Sequence, residues 1–136
     1  MILGFTGTRR GLTDAQRQTL ARLLAEYGSG RLHHGCCLGA DAECAALLDG
    51  HHFYGEAHPS DMPSMTSRKA LESALVKHPP KPPLERNRDI VAACELLIAC
   101  PAETVEQQRS GTWATIRYAR KVGRAVVLVW PDGSID

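Results

Sequence analysis

Residues 109–112, Arg-Ser-Gly-Thr, place a guanidinium, two hydroxyls and a glycine just before a stretch with helical spacing. A helix start needs only one Ser or Thr as its cap, so the added arginine and glycine indicate a further role. The amino end of a helix offers unpaired N–H groups and about half a positive charge, and glycine lets a ligand approach the backbone closely. The pattern therefore predicts an anion site at four residues: Arg109, Ser110, Gly111 and Thr112.

Two earlier turns carry the same kinds of residue. The segment TGTR follows the first predicted strand, and GCCLGAD follows the second. The residues predicted to bind a ligand there are Gly7, Thr8, Arg9, Gly39, Ala40 and Asp41. Structural explanations are also open, since a Gly-Thr pair suits a tight turn and a Gly-Ala pair suits close packing. Asp41 is either a carboxylate at a helix start or a ligand of a ribose hydroxyl. Phosphate binding by all three turns would explain their shared composition.

Strands and helices alternate along the chain. Strand character is found at 1–5, 31–34, 52–57, 96–99 and 125–130, and helical character at 42–48, 85–93 and 113–122. A first helix is expected between a capping box at Thr13 and Gln16 and a stop at Gly28. Alternation of this kind implies right-handed crossovers between parallel strands. The predicted fold is an α/β, three-layer Rossmann-like sandwich with a central, mostly parallel five-stranded sheet, and ligands bind at its carboxyl edge where the strand order reverses.

Composition narrows the functional class. The 136 residues predict one domain, 1–136, and the content of 43% apolar and 23% charged residues is typical of globular proteins. Aromatic residues make up only 5% and the formal net charge is +1, so we do not expect a nucleic-acid partner. No run approaches the roughly 20 apolar residues of a membrane helix, and neither a membrane association nor a secretory leader is expected. Five cysteines without a CxxC pair favour free thiols in the cytoplasm.

Six of the eight prolines fall within residues 58–83, with a possible helix at 67–77 between them. We predict a long loop in this region that contributes to ligand identity. His58, Arg68 and Lys69 could close over an anion from this loop, or face solvent instead.

A metal centre is not predicted. His33, His34, Cys36 and Cys37 are close in sequence, but adjacent side chains in a strand point in opposite directions and no second cluster completes a tetrahedral set. No cofactor is expected either. Trp113 could stack on a base, although core packing explains it equally simply.

Four segments, GFTGTR, HHGCCLGAD, ERNRDIV…LLIACP and RSGTWATIRYARK, together resemble the SLOG superfamily. This group is named for the DNA-processing protein Smf and the Lonely Guy cytokinin-activating hydrolases. The similarity spans nearly the whole chain and is greatest to the small single-domain bacterial and phage members related to the YspA/YpsA branch. It implies a Rossmannoid fold, a nucleotide or nucleotide-derived ligand, and a homo-oligomer.

The Lonely Guy enzymes release a free base from a nucleoside monophosphate. The resemblance implies that Arg86 and Asn87 belong to the ligand site and puts Glu95 near the family's aspartate. Thr115 stands at the position of the family's glutamate, so the usual catalytic carboxylate is missing.

Cleavage of an N-glycosidic bond needs a carboxylate near the sugar. Glu103 or Glu106, in the loop before Arg109, could supply it, or both could be solvated loop charges. The candidate catalytic residues are therefore Arg86 and Glu106. The alternative function is a non-catalytic sensor, or a protein that sequesters a nucleotide-derived signal such as a cyclic nucleotide or an ADP-ribose product.

Overall fold

Six parallel strands form a single sheet in the order β4-β3-β2-β1-β5-β6. The computed structural model describes residues 1–136. The strands are β1 (Ile2–Gly7), β2 (Ser29–His34), β3 (His52–Ala57), β4 (Val76–Lys77), β5 (Leu96–Cys100) and β6 (Ala125–Leu128). The helices are α1 (Asp14–Tyr27), α2 (Ala40–Leu47), α3 (Arg68–Ser73), α4 (Pro83–Ala93) and α5 (Gly111–Lys121). The predicted α/β class with a parallel sheet is confirmed.

The count of five strands was wrong, because β4 adds a sixth. It contains only two residues, both exposed, which pair with Glu56 and Ala57 of β3. A strand this short has no alternation of apolar and polar residues for a sequence pattern to reveal. It lies inside the proline-rich segment 58–83, which also contains a 3₁₀ turn (Pro63–Met65) and α3, the latter within the possible helix expected at 67–77.

Helices cover both faces of the sheet, and β1 divides its side chains between them. Leu3 and Phe5 belong to the larger core cluster, which includes residues of α1 and α2. Gly4 faces the other way, since a Cβ atom at this position would lie 2.8 Å from Cys94 Sγ and 3.2 Å from Ile90 of α4. This alternation is the period of two expected of a strand covered on both sides.

Local capping interactions determine both ends of α1. Thr13 Oγ1 accepts a hydrogen bond from the Gln16 amide at 3.0 Å, and the Thr13 amide donates to Gln16 Oε1 at 3.1 Å, as a capping box requires. The helix ends at Gly28, whose φ of 88° suits glycine. No helix in the chain has the length and apolar character needed to cross a bilayer.

The order of the strands reverses beside β1. The chain moves outward from β1 through β2 and β3 to β4, then returns to the other side of β1 as β5. Neighbouring crossovers leave the carboxyl edge in opposite directions at such a point, which opens a crevice between them. The carboxyl ends of β1 and β5 therefore mark the place where a ligand site is expected.

Candidate functional site

A cavity of about 430 Å³ lies at this reversal point, between the turn after β1 and the amino ends of α4 and α5. We call it the arginine cavity. Its lining contains ten of the twelve residues predicted to bind a ligand: Gly7, Thr8, Arg9, Asp41, Arg86, Asn87, Arg109, Ser110, Gly111 and Thr112. Five further residues line the cavity and were not predicted to bind a ligand: Thr6, Arg10, Cys37, Pro83 and Leu84. Thr6 and Arg10 flank the predicted turn and could have been added from that motif.

Gly39 and Ala40 do not line the cavity, which corrects their predicted place in the ligand site. The Ala40 amide donates to the Thr8 carbonyl oxygen at 3.0 Å. Gly39 has a φ of +90°, and a Cβ atom there would lie 2.3 Å from the Arg9 carbonyl oxygen. Both residues hold the start of α2 against the turn after β1, so the packing explanation applies to them.

Asp41 is 7% exposed and lies at the edge of the cavity. Its Oδ2 accepts a hydrogen bond from the Cys37 amide at 3.2 Å, which fixes the turn before α2. Burial raises the pKa of Asp41 to about 6, although backbone hydrogen bonds and the nearby Arg86 charge act in the opposite direction. Asp41 is therefore both part of the turn and the one carboxylate in the cavity lining.

Arg86, on the first turn of α4, is 5% exposed and held by neutral acceptors. Its Nη1 donates to the carbonyl oxygens of Gly35 at 2.8 Å and His58 at 3.0 Å. Nε donates to Asn87 Oδ1 at 2.8 Å, and Nη2 makes a long contact of 3.5 Å with Cys37 Sγ. A guanidinium has five N–H donors, so these contacts leave one Nη2 donor for the cavity. None of the four hydrogen bonds goes to a carboxylate.

The other three arginines of the lining, Arg9, Arg10 and Arg109, are exposed. None of them forms an ion pair. With Arg86, they give the lining four positive charges against the single carboxylate of Asp41, so its electrostatic potential favours anions.

The start of α5 completes the cavity wall. Ser110 caps the helix, since its Oγ accepts a hydrogen bond from the Trp113 amide at 3.2 Å. Gly111 is exposed, and a Cβ atom there would meet nothing within 4 Å. No neighbouring atom therefore requires glycine at this position. Trp113, in the first turn of the same helix, is 2% exposed and packs in the core, which was one of its two predicted roles.

The predicted catalytic carboxylate is not in the cavity. Glu106 is exposed and accepts a hydrogen bond from Arg117 Nη1 at 2.8 Å, while Glu103 accepts one from Trp113 Nε1 at 3.0 Å. Glu95 is exposed at the start of β5, at the opposite edge of the sheet. Thr115 is buried and donates to the Gly111 carbonyl oxygen at 2.8 Å within α5.

The five cysteines are free, buried thiols. Burial raises the pKa of Cys37, the one thiol in the cavity lining, and raises that of Cys36 to about 12. A thiol held in its protonated form is a poor nucleophile. The structure therefore gives no support to cysteine chemistry at this site.

A second group of titratable residues was not predicted. His33 of β2, His58 after β3 and His78 after β4 bring one nitrogen each to within 4.8 Å of the others. We call these three the histidine cluster. The rings of His58 and His78 are stacked with their centroids 4.0 Å apart. Three separate segments meet here through strand pairing, so no sequence spacing could have revealed the cluster.

Several proteins of known structure have a fold similar to that of this chain. No protein-family model matches the chain, and no curated protein sequence matches it. A molybdenum cofactor binding protein from Rippkaea orientalis has a similar structure, with a TM-score of 0.71 and 18% identity over 95% of this chain and 76% of that one. DNA processing protein A from Streptococcus pneumoniae has a TM-score of 0.67 and 19% identity over 93% of this chain and 49% of that one, so this chain spans about half of its length.

DNA processing protein A from Helicobacter pylori, described for its single-stranded DNA binding mode, has a TM-score of 0.60 and 17% identity. It is matched over 94% of this chain and 64% of its own. At sequence identities this low, the TM-scores establish a shared fold alone. The chain therefore has a Rossmann-like fold similar to that of DNA processing protein A, as its sequence motifs predicted.

Proposed function

We propose that the arginine cavity binds a phosphorylated, nucleotide-derived small molecule. The observation that carries the proposal is the state of Arg86. A buried charge is costly unless it is paired, and this guanidinium is bonded to carbonyl, amide and thiol groups with one donor left toward the cavity. Asp41 lies nearby but accepts none of these hydrogen bonds, so an anionic oxygen in the cavity would be the first charged acceptor bonded directly to Arg86.

Size and lining support the same ligand class. A volume of about 430 Å³ lies within the roughly 300–1,000 Å³ of small-molecule sites. The cavity has no aromatic side chain in its lining, so recognition would depend on phosphate and sugar groups more than on base stacking. The amide groups at the start of α5 and the turn after β1 add donors suited to phosphate oxygens.

Proteins with this fold are named for binding a molybdenum cofactor and single-stranded DNA. The fold alone therefore does not decide between a small ligand and a polymer. The buried Arg86, with three further arginines around one cavity at the strand reversal, favours the small ligand. The absence of aromatic residues from the lining argues against base-stacked single-stranded DNA at this site.

Calorimetry and thermal unfolding would test the proposal with AMP, ADP-ribose, adenosine and a single-stranded oligonucleotide. We expect the two phosphorylated small molecules to raise Tm, because a ligand at 100 times its Kd adds about 2.7 kcal/mol to the free energy of unfolding. Adenosine, which lacks phosphate, should have no effect. A rise with the oligonucleotide alone would replace the proposal with DNA binding, and no rise with any phosphorylated compound would overturn it.

Arg109→Ala should abolish the rise in Tm, because it removes one of the positive charges that line the cavity. The side chain is exposed, so its removal should leave the fold intact. Arg120→Ala is the matched control, since Arg120 is exposed at the other end of α5 and does not line the cavity. Equal losses in both variants would indicate a general charge effect.

A second candidate, hydrolysis of the N-glycosidic bond, depends on Asp41. It is the one carboxylate in the cavity lining, and its raised pKa of about 6 is typical of a group that can exchange a proton near neutral pH. Incubation with nucleoside monophosphates followed by chromatography separates the two functions. Release of free base that Asp41→Asn abolishes would establish the hydrolase, whereas recovery of intact ligand supports the sensor or sequestering protein.

A further inference from the structure

We propose that the histidine cluster, His33, His58 and His78, binds one divalent transition-metal ion of the zinc type, and that Glu56 orients two of the three rings. This site is separate from the arginine cavity and does not depend on the function proposed for that cavity. Three imidazoles with a nearby carboxylate form a donor set typical of Zn²⁺ and of chemically similar ions such as Co²⁺ and Ni²⁺.

The spacing of the three rings fits one ion. One nitrogen of each ring lies within 4.8 Å of the others, and His33 Nδ1 is 2.8 Å from His58 Nε2. Tetrahedral zinc with bonds of about 2.0–2.1 Å holds its ligand nitrogens about 3.3 Å apart. Reorientation of the stacked His58 and His78 rings, with a slight widening of the contact between His33 and His58, would convert the present contacts into a coordination shell.

Glu56 supports the metal-binding orientation of two rings. This carboxylate is buried, with Oε1 at 3.1 Å from His78 Nε2 and Oε2 at 3.6 Å from His33 Nε2. A carboxylate on one ring nitrogen fixes the ring and leaves the other nitrogen for a metal; it is one of the three usual partners of a metal-binding histidine, with a backbone carbonyl and water. Nδ1 is the nitrogen left on both His33 and His78.

The cluster is open on one side. A second cavity, of about 240 Å³, is bordered by His58, His78, Lys81, Arg86 and Asp89. An ion held by three histidines would keep a fourth position facing this space, where a water molecule or an oxyanion could bind. The backbone of His58 also accepts a hydrogen bond from Arg86, so the two cavities share a wall.

Metal binding can be measured on the chain of 136 residues after dialysis against a chelator. Co²⁺ serves as the spectroscopic probe, and Zn²⁺ is titrated in competition with a coloured chelator. We expect one ion per chain and visible Co²⁺ bands without the near-ultraviolet band of a thiolate ligand. Failure to bind one ion per chain would overturn the proposal and leave the three rings as a hydrogen-bonded stack.

The variants discriminate between histidine and thiol ligands. His78→Gln should weaken Zn²⁺ binding by at least 10-fold, and because the His78 side chain is 38% exposed the variant should remain folded. Glu56→Gln, a change of nearly equal volume, should weaken binding by about 10–100-fold. His52→Gln, at an exposed position on β3, and Cys37→Ser should leave the affinity unchanged. Full binding by both His78→Gln and Glu56→Gln, or loss of binding in Cys37→Ser, would contradict the assignment.

Discussion

Arg86 Nη1 donates a hydrogen bond of 3.0 Å to the backbone carbonyl oxygen of His58. The same nitrogen donates to Gly35 at 2.8 Å, so the guanidinium is positioned by two backbone carbonyls of neighbouring strand ends. Because these acceptors belong to the sheet edge itself, the fold places the charge in the cavity before any ligand arrives. Such preorganisation lowers the cost of binding.

Arg86→Lys should therefore weaken ligand binding even though it keeps the charge. A lysine ammonium cannot reproduce the planar fork that reaches both carbonyls and the cavity. We expect an affinity loss of about 10-fold or more, and a fall of about 1–3 kcal/mol in the free energy of unfolding from the unsatisfied carbonyls. Calorimetry with ADP-ribose and denaturant unfolding measure the two effects. Arg88→Lys, on the exposed side of α4, is the control and should leave the affinity unchanged, with a fall of at most about 1 kcal/mol in the free energy of unfolding from the altered contact with the Tyr118 ring.

Gly35→Ala tests the same relationship from the backbone side. A Cβ atom at Gly35 would lie 2.5 Å from Arg86 Nη1 and 2.9 Å from Asp41 Oδ2. Both side chains are buried and hydrogen-bonded, so neither can move without losing its contacts. We expect loss of ligand-induced stabilisation in thermal unfolding. Gly50→Ala, where a Cβ atom meets nothing within 4 Å, should behave as wild type.

The sequence predicted the parts of the site that depend on local structure. The turn after β1 and the start of α5 combine glycine, hydroxyl and arginine within a few residues, and both line the cavity. Composition could not separate binding from packing at Gly39 and Ala40, because close backbone approach requires the same small residues in either case. The histidine cluster was not predicted because β4, which positions His78, has only two residues and shows no alternation of apolar and polar residues.

Gly111→Ala tests whether ligand binding needs a glycine at this position, since the protein fold does not need one. The new methyl group meets no protein atom within 4 Å, and alanine is favourable in a helix, so Tm should stay the same or rise slightly. If a phosphate approaches the backbone at the start of α5, the methyl group will obstruct it and weaken binding by about 10-fold (~1.4 kcal/mol). An unchanged affinity would show that the ligand makes no close contact with this residue.

Glu106→Gln should leave ligand affinity and any turnover unchanged. Its carboxylate pairs with Arg117 on the exposed surface of α5 and does not line the cavity. Loss of this exposed ion pair should lower the free energy of unfolding by about 1 kcal/mol at most. If release of free base disappears in Glu106→Gln but persists in Asp41→Asn, the catalytic carboxylate is Glu106 and not Asp41.

The titration of Asp41 should appear in the pH dependence of stability. Burial raises the pKa of Asp41 to about 6, from an ordinary value of 3.8 that applies in the unfolded chain. Between these pH values the folded protein keeps a proton that the unfolded chain has released. Raising the pH from about 4 to about 6 should therefore remove the contribution of Asp41 to the free energy of unfolding, while the buried His34 and His58, whose pKa values burial lowers, contribute the opposite slope.

Asp41→Asn removes this contribution, because an amide does not titrate. The wild-type stability relative to the variant should fall with rising pH by up to about 3 kcal/mol and become constant above about pH 7, at about 1.4 kcal/mol per unit of pKa. Burial lowers the pKa of His34 to about 4, which gives the opposite slope, but this ring is present in both proteins and its effect cancels. Urea unfolding of both proteins at a series of pH values measures the difference. A difference that rises with pH would mean that the Arg86 charge, and not burial, dominates the carboxyl group.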